Sequence, residues 1–149
     1  MALKEKLEAE LFNAMRNKDE TRKRTIRMAI SNIKLAEIEQ KKILEDSAIL
    51  SSLYKEIKIR NETIEDAKKG NRDLIIKEAE AEIAILKEFL PKSLGDTELI
   101  EIAKKVILEQ NATGMKDMGN VMKAMMERIK GQAPNDAISR VVRELLQTE

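Results

Sequence analysis

The sequence predicts an all-α protein with a long-helix N-terminal domain, residues 1–93, and a small three-helix C-terminal domain, residues 94–149. Apolar residues recur at spacings of three, four and seven along the chain, which is the period of amphipathic helices. No segment shows a convincing alternation of apolar and polar residues, the mark of a half-buried strand. The 28 basic and 27 acidic side chains are nearly balanced, which favours exposed helices with i,i+4 ion pairs.

Two helices are predicted before residue 42. The first should end near Asn17 to Asp19, and its apolar positions are Leu3, Leu7, Leu11 and Met15. The second runs from about Glu20 to Lys41, with one side formed by Ile26, Ile30, Ile33 and Glu37. Both patterns place apolar side chains on one face, as expected for helices that pack on a common core.

An antiparallel helical hairpin should follow. Asp46 or Ser47 can cap its first arm, and Gly70 and Asn71 provide a C-terminal stop and a new N-cap. The first arm's apolar residues are Leu50, Leu53, Ile57 and Ile64. The second arm has a heptad seam that ends at Pro91, formed by Ile76, Ala79, Ile83, Leu86 and Leu90. Arg60 lies beside the seam, where an ion pair with Glu80 or Glu82 is expected.

Residues 91–96 are the best candidate linker, and three shorter helices are predicted beyond them. The first buries Leu99, Ala103, Val106 and Ile107. The second spans about Met118 to Lys130 and is stopped by Gly131, with Val121, Met122, Met125 and Ile129 apolar. The third begins at Pro134, a good first helical residue, and buries Ile138, Val141, Val142, Leu145 and Leu146.

Composition excludes several kinds of chemistry. The chain has no Cys and no His, so a structural zinc site is not expected and Ser-His-Asp or Cys-His nucleophiles are absent. No metal or other cofactor is predicted. No apolar run approaches the ~20 residues that cross a bilayer, and the N-terminus has no signal-peptide core. We therefore expect a soluble cytoplasmic protein that does not engage membranes.

Carboxylates are the remaining candidates for catalysis. Glu78, Glu80 and Glu82 cluster on the fourth helix, but alternate residues of a helix point about 200° apart, so the three cannot converge. Glu78 and Glu82 share a side and can pair with Lys77 or Lys87. A solvated, ion-paired face explains them, and no catalytic residue is assigned.

A row of lysines is the main candidate for a binding site. Lys116, Lys123 and Lys130 recur at intervals of seven, so on one helix they would share a face with Gly119, unless Lys116 lies in the loop before that helix. Such a row suits successive backbone phosphates, and a glycine permits close approach of a backbone or a phosphate. The alternative is a solvated polar face opposite the core. The complete RNA-binding prediction comprises Lys116, Gly119, Lys123, Lys130, Gly131, Arg140 and Arg143.

A second basic face is predicted on the second helix, where Lys23, Arg27 and Lys34 fall close in azimuth. Arg16 would join them only if the helix continued through the break near Asn17. Lysines on phosphates do not read bases, so no sequence-specific readout of DNA is expected.

Methionines offer an alternative partner. Met115, Met118, Met122, Met125 and Met126 cover more than one helical stripe, so some of them are candidates for an adaptable protein-binding surface. Core filling explains most of the cluster. The long hairpin is a second candidate docking face, although pairing of its two arms already explains the seam.

Ordered motifs make the whole chain resemble the YqeY-like family, which is related to the tail domain of the B subunit of the tRNA-dependent amidotransferase. The N-terminal motifs are Thr25-Ile26-Arg27-Met28, Lys58-Ile59-Arg60-Asn61-Glu62-Thr63-Ile64, Gly70-Asn71-Arg72-Asp73-Leu74 and Phe89-Leu90-Pro91. The C-terminal motifs are Met118-Gly119-Asn120-Val121-Met122, Lys130-Gly131-Gln132-Ala133 and Val141-Val142. Ile59 stands where the family usually has Gln, which weakens the case for chemistry by a polar cluster around Arg60.

The resemblance implies an all-helical fold in two parts and a role on tRNA, because the amidotransferase tail contacts the tRNA elbow and is not where amide transfer occurs. We therefore expect a non-catalytic accessory protein that binds tRNA or another structured RNA. A helical adapter for a protein partner is the first alternative. An auxiliary component of a glutamine-dependent amidotransferase, a carbon–nitrogen ligase, is the second, so enzymatic activity inside a complex stays open.

Overall fold

The computed structural model describes residues 2–147, and every regular element within that range is helical. The predicted all-α class is confirmed. The helices are α1 (Leu3–Arg16), α2 (Glu20–Gln40), α3 (Asp46–Lys69), α4 (Asp73–Lys87), α5 (Asp96–Glu109), α6 (Met118–Ile129) and α7 (Asn135–Gln147), with a one-turn 3₁₀ helix at Met115–Asp117 before α6.

Contacts divide the chain into two compact units, an N-terminal unit that ends at Leu90 and a C-terminal unit that begins at Pro91. Each unit has its own cluster of buried apolar side chains. The predicted boundary between residues 93 and 94, as a division between domains, stays a prediction.

The N-terminal unit is built from α1 to α4, with α3 packed along α4 and α2 packed on both. Most of its core is the apolar face predicted from helical spacing, and its largest fully buried members are Leu7, Ile26, Ile33, Ile49, Leu53 and Leu86. Ile49 was not predicted, because its neighbour Leu50, which is only partly buried, was assigned to the apolar face instead. Met15 was predicted to lie inward but is 49% exposed, because Ala14 takes the buried position near the end of α1.

The turn between α3 and α4 differs from the prediction in its details. Gly70 follows α3 with a φ of −101°, whereas the left-handed conformation belongs to Asn71, with a φ of 53°. Arg72 then precedes the first residue of α4, so Asn71 is not the N-cap. Asparagine tolerates the left-handed region better than most residues, which explains how the turn forms without using glycine's freedom. α4 ends at Lys87, before the predicted stop at Pro91.

The C-terminal unit packs α5, α6 and α7 around a core that includes Leu99, Met125, Ile129 and Ile138, all at most 2% exposed. Two successive residues with positive φ end α6: Lys130 at 50° and Gly131 at 81°. α7 begins at Asn135 rather than at the predicted Pro134, whose carbonyl accepts hydrogen bonds from the first-turn amides of α7.

Candidate nucleic-acid interface

The three lysines of the predicted row lie on three kinds of backbone. Lys116 is in the 3₁₀ turn, Lys123 is inside α6, and Lys130 follows α6 in the left-handed conformation. The premise that one continuous helix carries all three is therefore wrong, because α6 spans only Met118–Ile129. A spacing of seven residues cannot fix a shared azimuth outside that helix.

All three lysines are exposed, and none has a described carboxylate within 4.0 Å. A neighbouring cation behaves differently: Arg128, near the end of α6, pairs with Glu109 of α5 at 2.8 Å. Lys116, Lys123 and Lys130 therefore keep ammonium groups that no acid of the described chain neutralises. Such groups are available to an anion without the cost of breaking an internal ion pair.

The two glycines of the predicted site have different explanations. A Cβ built on Gly119, in the first turn of α6, would meet no atom within 4 Å, so packing against another part of the described chain does not account for this glycine. Gly131 has a φ of 81°, which an L-residue rarely adopts, so the turn itself accounts for it. Of the two glycines, only Gly119 lacks an explanation within the described chain, so close approach of a ligand remains a candidate explanation for it.

The surface around Lys123 is a shallow open groove between α5 and α6, and it also includes Gln110, Asn120 and Glu127. The Gln110 side-chain amide donates to the Asn120 carbonyl at 3.4 Å. Glu127 brings a negative charge into the same groove, so the local potential is mixed. This mixture matches the nearly equal numbers of basic and acidic residues in the chain.

The two arginines predicted as secondary contacts lie on α7. Arg140 and Arg143 are both exposed. The guanidinium of Arg143 is 3.5 Å from the Ser139 hydroxyl oxygen, one turn earlier, and neither arginine forms an ion pair with a described residue. Both guanidinium groups thus remain available on a helix separate from the lysines.

The second predicted basic face lies on α2 of the N-terminal unit, and part of it is neutralised. Lys23 pairs with Glu20 at 3.0 Å, while Arg27 and Lys34 are exposed. α1 ends at Arg16 and α2 begins at Glu20, so Arg16 does not continue the α2 face.

A partly buried ionic cluster in the N-terminal unit was only partly predicted. Arg60 of α3 pairs with Glu82 of α4 at 2.7 Å, as one of the two predicted partners, and also with Glu56 at 3.3 Å. Arg24 of α2 pairs with Glu78 and, at 3.5 Å, with Glu82, so the predicted lysine partners on α4 are wrong.

Glu56 is the member of this cluster that sequence reasoning missed. Its side chain is 6% exposed, and burial raises the pKa of its carboxyl although Arg60 and Asn32 oppose the shift. The spacing of four residues between Glu56 and Arg60 on one helix was the available signal. Its burial could not be read from the sequence, because glutamate is rarely buried.

Within the described residues, no group of three or more acidic side chains is arranged to hold a metal ion. None of the described helices is both long and apolar enough to cross a membrane.

The fold and the candidate site together define an all-helical protein of two small units, one of which carries exposed, unpaired lysines. The profile of the family described as "Yqey-like protein" matches residues 4–146. The chain therefore belongs to the YqeY-like family, as its motifs predicted.

Two fungal proteins named "Altered inheritance of mitochondria protein 41, mitochondrial" are similar to this chain. The one from Pyrenophora tritici-repentis is 31% identical over 144 residues, which cover 95% of this chain and 79% of that protein. The one from Lachancea thermotolerans is 40% identical over 85 residues, 56% of this chain and 46% of that protein. The prediction of a cytoplasmic location is contradicted, because both relatives are named as mitochondrial proteins.

Proposed function

We propose that the C-terminal unit binds structured RNA, tRNA in particular, through backbone phosphates, and that the chain acts as a non-catalytic accessory. The observation that carries the proposal is the set of exposed lysines, Lys116, Lys123 and Lys130, that no described carboxylate neutralises. The resemblance of the family to the tRNA-contacting tail of the amidotransferase supports the choice of RNA. Phosphate contacts supply affinity and do not read sequence.

Salt dependence provides the first test. If three lysines displace counterions, affinity for tRNA should fall roughly twenty- to fortyfold between about 50 and about 200 mM salt. Fluorescence anisotropy of labelled tRNA, titrated with the intact protein at both concentrations, measures this change. Affinity that does not vary with salt would contradict binding through phosphates.

Matched variants test the assignment of residues. Replacing Lys116, Lys123 and Lys130 together by Ala should weaken tRNA binding and flatten its salt dependence, while circular dichroism stays helical. The control replaces three other exposed lysines of the same unit, Lys92, Lys104 and Lys105, and removes the same charge. If both variants lose the same affinity, binding follows net charge and the proposed site is wrong.

The Gly119→Ala variant tests separately whether an RNA phosphate approaches the backbone of α6 closely at this position. The added Cβ meets nothing in the chain, and alanine is favoured over glycine in a helix, so the fold should keep or gain stability, by up to about 1 kcal/mol. A phosphate seated against Gly119 would be pushed away, so tRNA affinity should fall. Unchanged affinity with unchanged stability would remove Gly119 from the interface.

A protein adapter is the second candidate, and exposed apolar side chains on the C-terminal unit favour it. Leu108 is 78% exposed, Met115 43% and Met126 46%. Methionine suits adaptable contacts with apolar partners. Partners that remain bound to the tagged protein after nuclease treatment, and are lost in a Leu108→Ser, Met126→Ser variant, would favour this function over RNA binding.

A further inference from the structure

A pocket of about 370 Å³ opens between α2, α3 and α4, and all the residues that line it belong to the N-terminal unit. Each helix contributes one large apolar side chain, Met28, Ile59 and Ile75, and Ala79 of α4 adds a small one. The three large side chains are 51%, 52% and 38% exposed. Apolar walls around a few polar groups, in a cleft of at least ~300 Å³, are typical of a small-molecule site.

The polar lining of this pocket carries more negative than positive charge. Its carboxylates belong to Glu56, Glu78 and Glu82, and its one guanidinium belongs to Arg60. Arg24, which pairs with Glu78 and Glu82 from α2, supplies a second guanidinium. Three carboxylates thus face two cations, and one negative charge is left without a counter-charge among these groups.

The excess charge is best assigned to Glu56. Its Oε1 is 3.3 Å from the Arg60 guanidinium, but its Oε2 has no hydrogen-bond partner among the described residues and is closed off from water. A buried acceptor without a donor is unfavourable, and more so when it is charged. The protein therefore holds a carboxylate with one unsatisfied oxygen, Oε2 of Glu56, beside a cleft with apolar walls.

We propose that this α2–α3–α4 pocket binds a small organic cation, a primary ammonium carried on an apolar chain. The chain lies on Met28, Ile59 and Ile75, and the ammonium sits over the carboxylates. It makes no direct bond to Oε2 of Glu56, which is closed off from water, so Glu56 acts on the ammonium through its charge. The apolar walls exclude inorganic ions as the preferred ligand, since those ions gain nothing from apolar contact.

The test uses three probes of equal chain length on ¹⁵N-labelled protein: n-butylammonium, n-butanol and butyrate. The ammonium should give saturable amide shifts at the pocket, the alcohol weaker ones, and butyrate none. Equal binding of the alcohol would show a merely apolar cleft and would overturn the proposal. Preferred binding of butyrate, or no saturation with the ammonium, would overturn it as well.

Glu56→Gln should weaken ammonium binding roughly tenfold or more, because it removes the excess charge and keeps the shape. Glu80→Gln is the matched control, since Glu80 is exposed on α4 and outside the pocket lining. Equal affinity of the two variants refutes the role of Glu56.

A second pair of variants keeps the test decisive if Glu56→Gln fails to fold. Ile59→Ala removes one apolar wall, whereas Leu35→Ala removes a side chain of similar exposure, 56% against 52%, outside the pocket lining. Only the Ile59 variant should bind n-butylammonium more weakly. Loss of tRNA binding does not affect these results, because the RNA proposal concerns the other unit.

Discussion

Arg60→Met should destabilise the N-terminal unit by about 3 kcal/mol, because it leaves the buried Glu56 carboxylate without its counter-charge and leaves Glu82 only the weaker pair with Arg24 at 3.5 Å. The Arg60 Nε lies 2.7 Å from Glu82, and Nη1 lies 3.3 Å from Glu56. The side chains are 14% exposed for Arg60, 18% for Glu82 and 6% for Glu56. Water therefore cannot replace the guanidinium at little cost, although methionine fills the space of its apolar stem.

An exposed ion pair on the same helix provides the comparison for this loss of stability. Lys68 contacts Glu65 at 3.3 Å, but these side chains are 59% and 70% exposed. Water solvates both charges in the folded and unfolded states, so Lys68→Met should change stability by no more than about 0.5 kcal/mol. The contrast between the two substitutions isolates the effect of burial from the effect of losing a charge.

Urea unfolding followed by tyrosine fluorescence measures both variants in the unit concerned. The chain has one Tyr and no Trp, and Tyr54 lies in α3, so the signal reports the N-terminal unit. Adding Glu56→Gln to Arg60→Met should recover part of the lost stability, because it removes the uncompensated charge. The reasoning fails if Arg60→Met costs no more than Lys68→Met, or if the double variant is less stable than Arg60→Met.

The same cluster predicts a pH dependence with a defined sign. Burial raises the pKa of Glu56 above its usual value of 4.5, so the folded state binds this proton more tightly than the unfolded state. The stability that protonation contributes is fully present below the unfolded pKa and is lost as pH rises through the folded pKa. Without Arg60 the pKa of Glu56 should rise further, and the loss should extend to higher pH.

Three other predictions concern single sites. Met125→Ala should destabilise the C-terminal unit by about 2–5 kcal/mol, whereas Met126→Ala should cost little, because Met125 is fully buried and Met126 is 46% exposed; equal melting temperatures would contradict the assigned core. Lys4→Met should raise the pKa of Glu37, which an ion pair of 2.7 Å with Lys4 holds below its usual value, as measured by carboxyl ¹³C NMR. Since stability from a lowered pKa is lost as pH falls through it, this variant should also lose less stability in acid. Gly131→Ala should cost about 1 kcal/mol, because its φ is 81°, and an unchanged melting temperature would count against that backbone geometry.

The periodicity of apolar residues alone was sufficient to predict the helices and most of the core residues. Leu7, Ile26 and Leu53 lie on predicted apolar faces and are fully buried. A stripe at helical spacing can be buried only when one face turns inward, so local sequence determines both the element and its orientation. Helix ends were less accurate, as at the turn after α3, because capping depends on single backbone angles that several residues can adopt.

The candidate site was predicted less well, for two different physical reasons. Lys116 and Lys130 were assigned to the azimuth of Lys123, but a 3₁₀ turn and a left-handed residue interrupt the helix at each end. Whether their ammonium groups are paired depends on carboxylates from other helices. Glu56 became important only because α2 and α4 both pack on α3, where its Oε2 is closed off from water.

Residue spacing was thus enough to predict seven amphipathic helices in the described part of the chain and two sets of core residues. The ordered motifs gave the resemblance to the YqeY-like family, which the profile match shows. Residue spacing could not establish which charges meet. Helix formation depends on neighbours within about four residues, whereas an ion pair such as Arg60 with Glu82, or an unpaired lysine such as Lys123, depends on segments that only packing brings together or keeps apart.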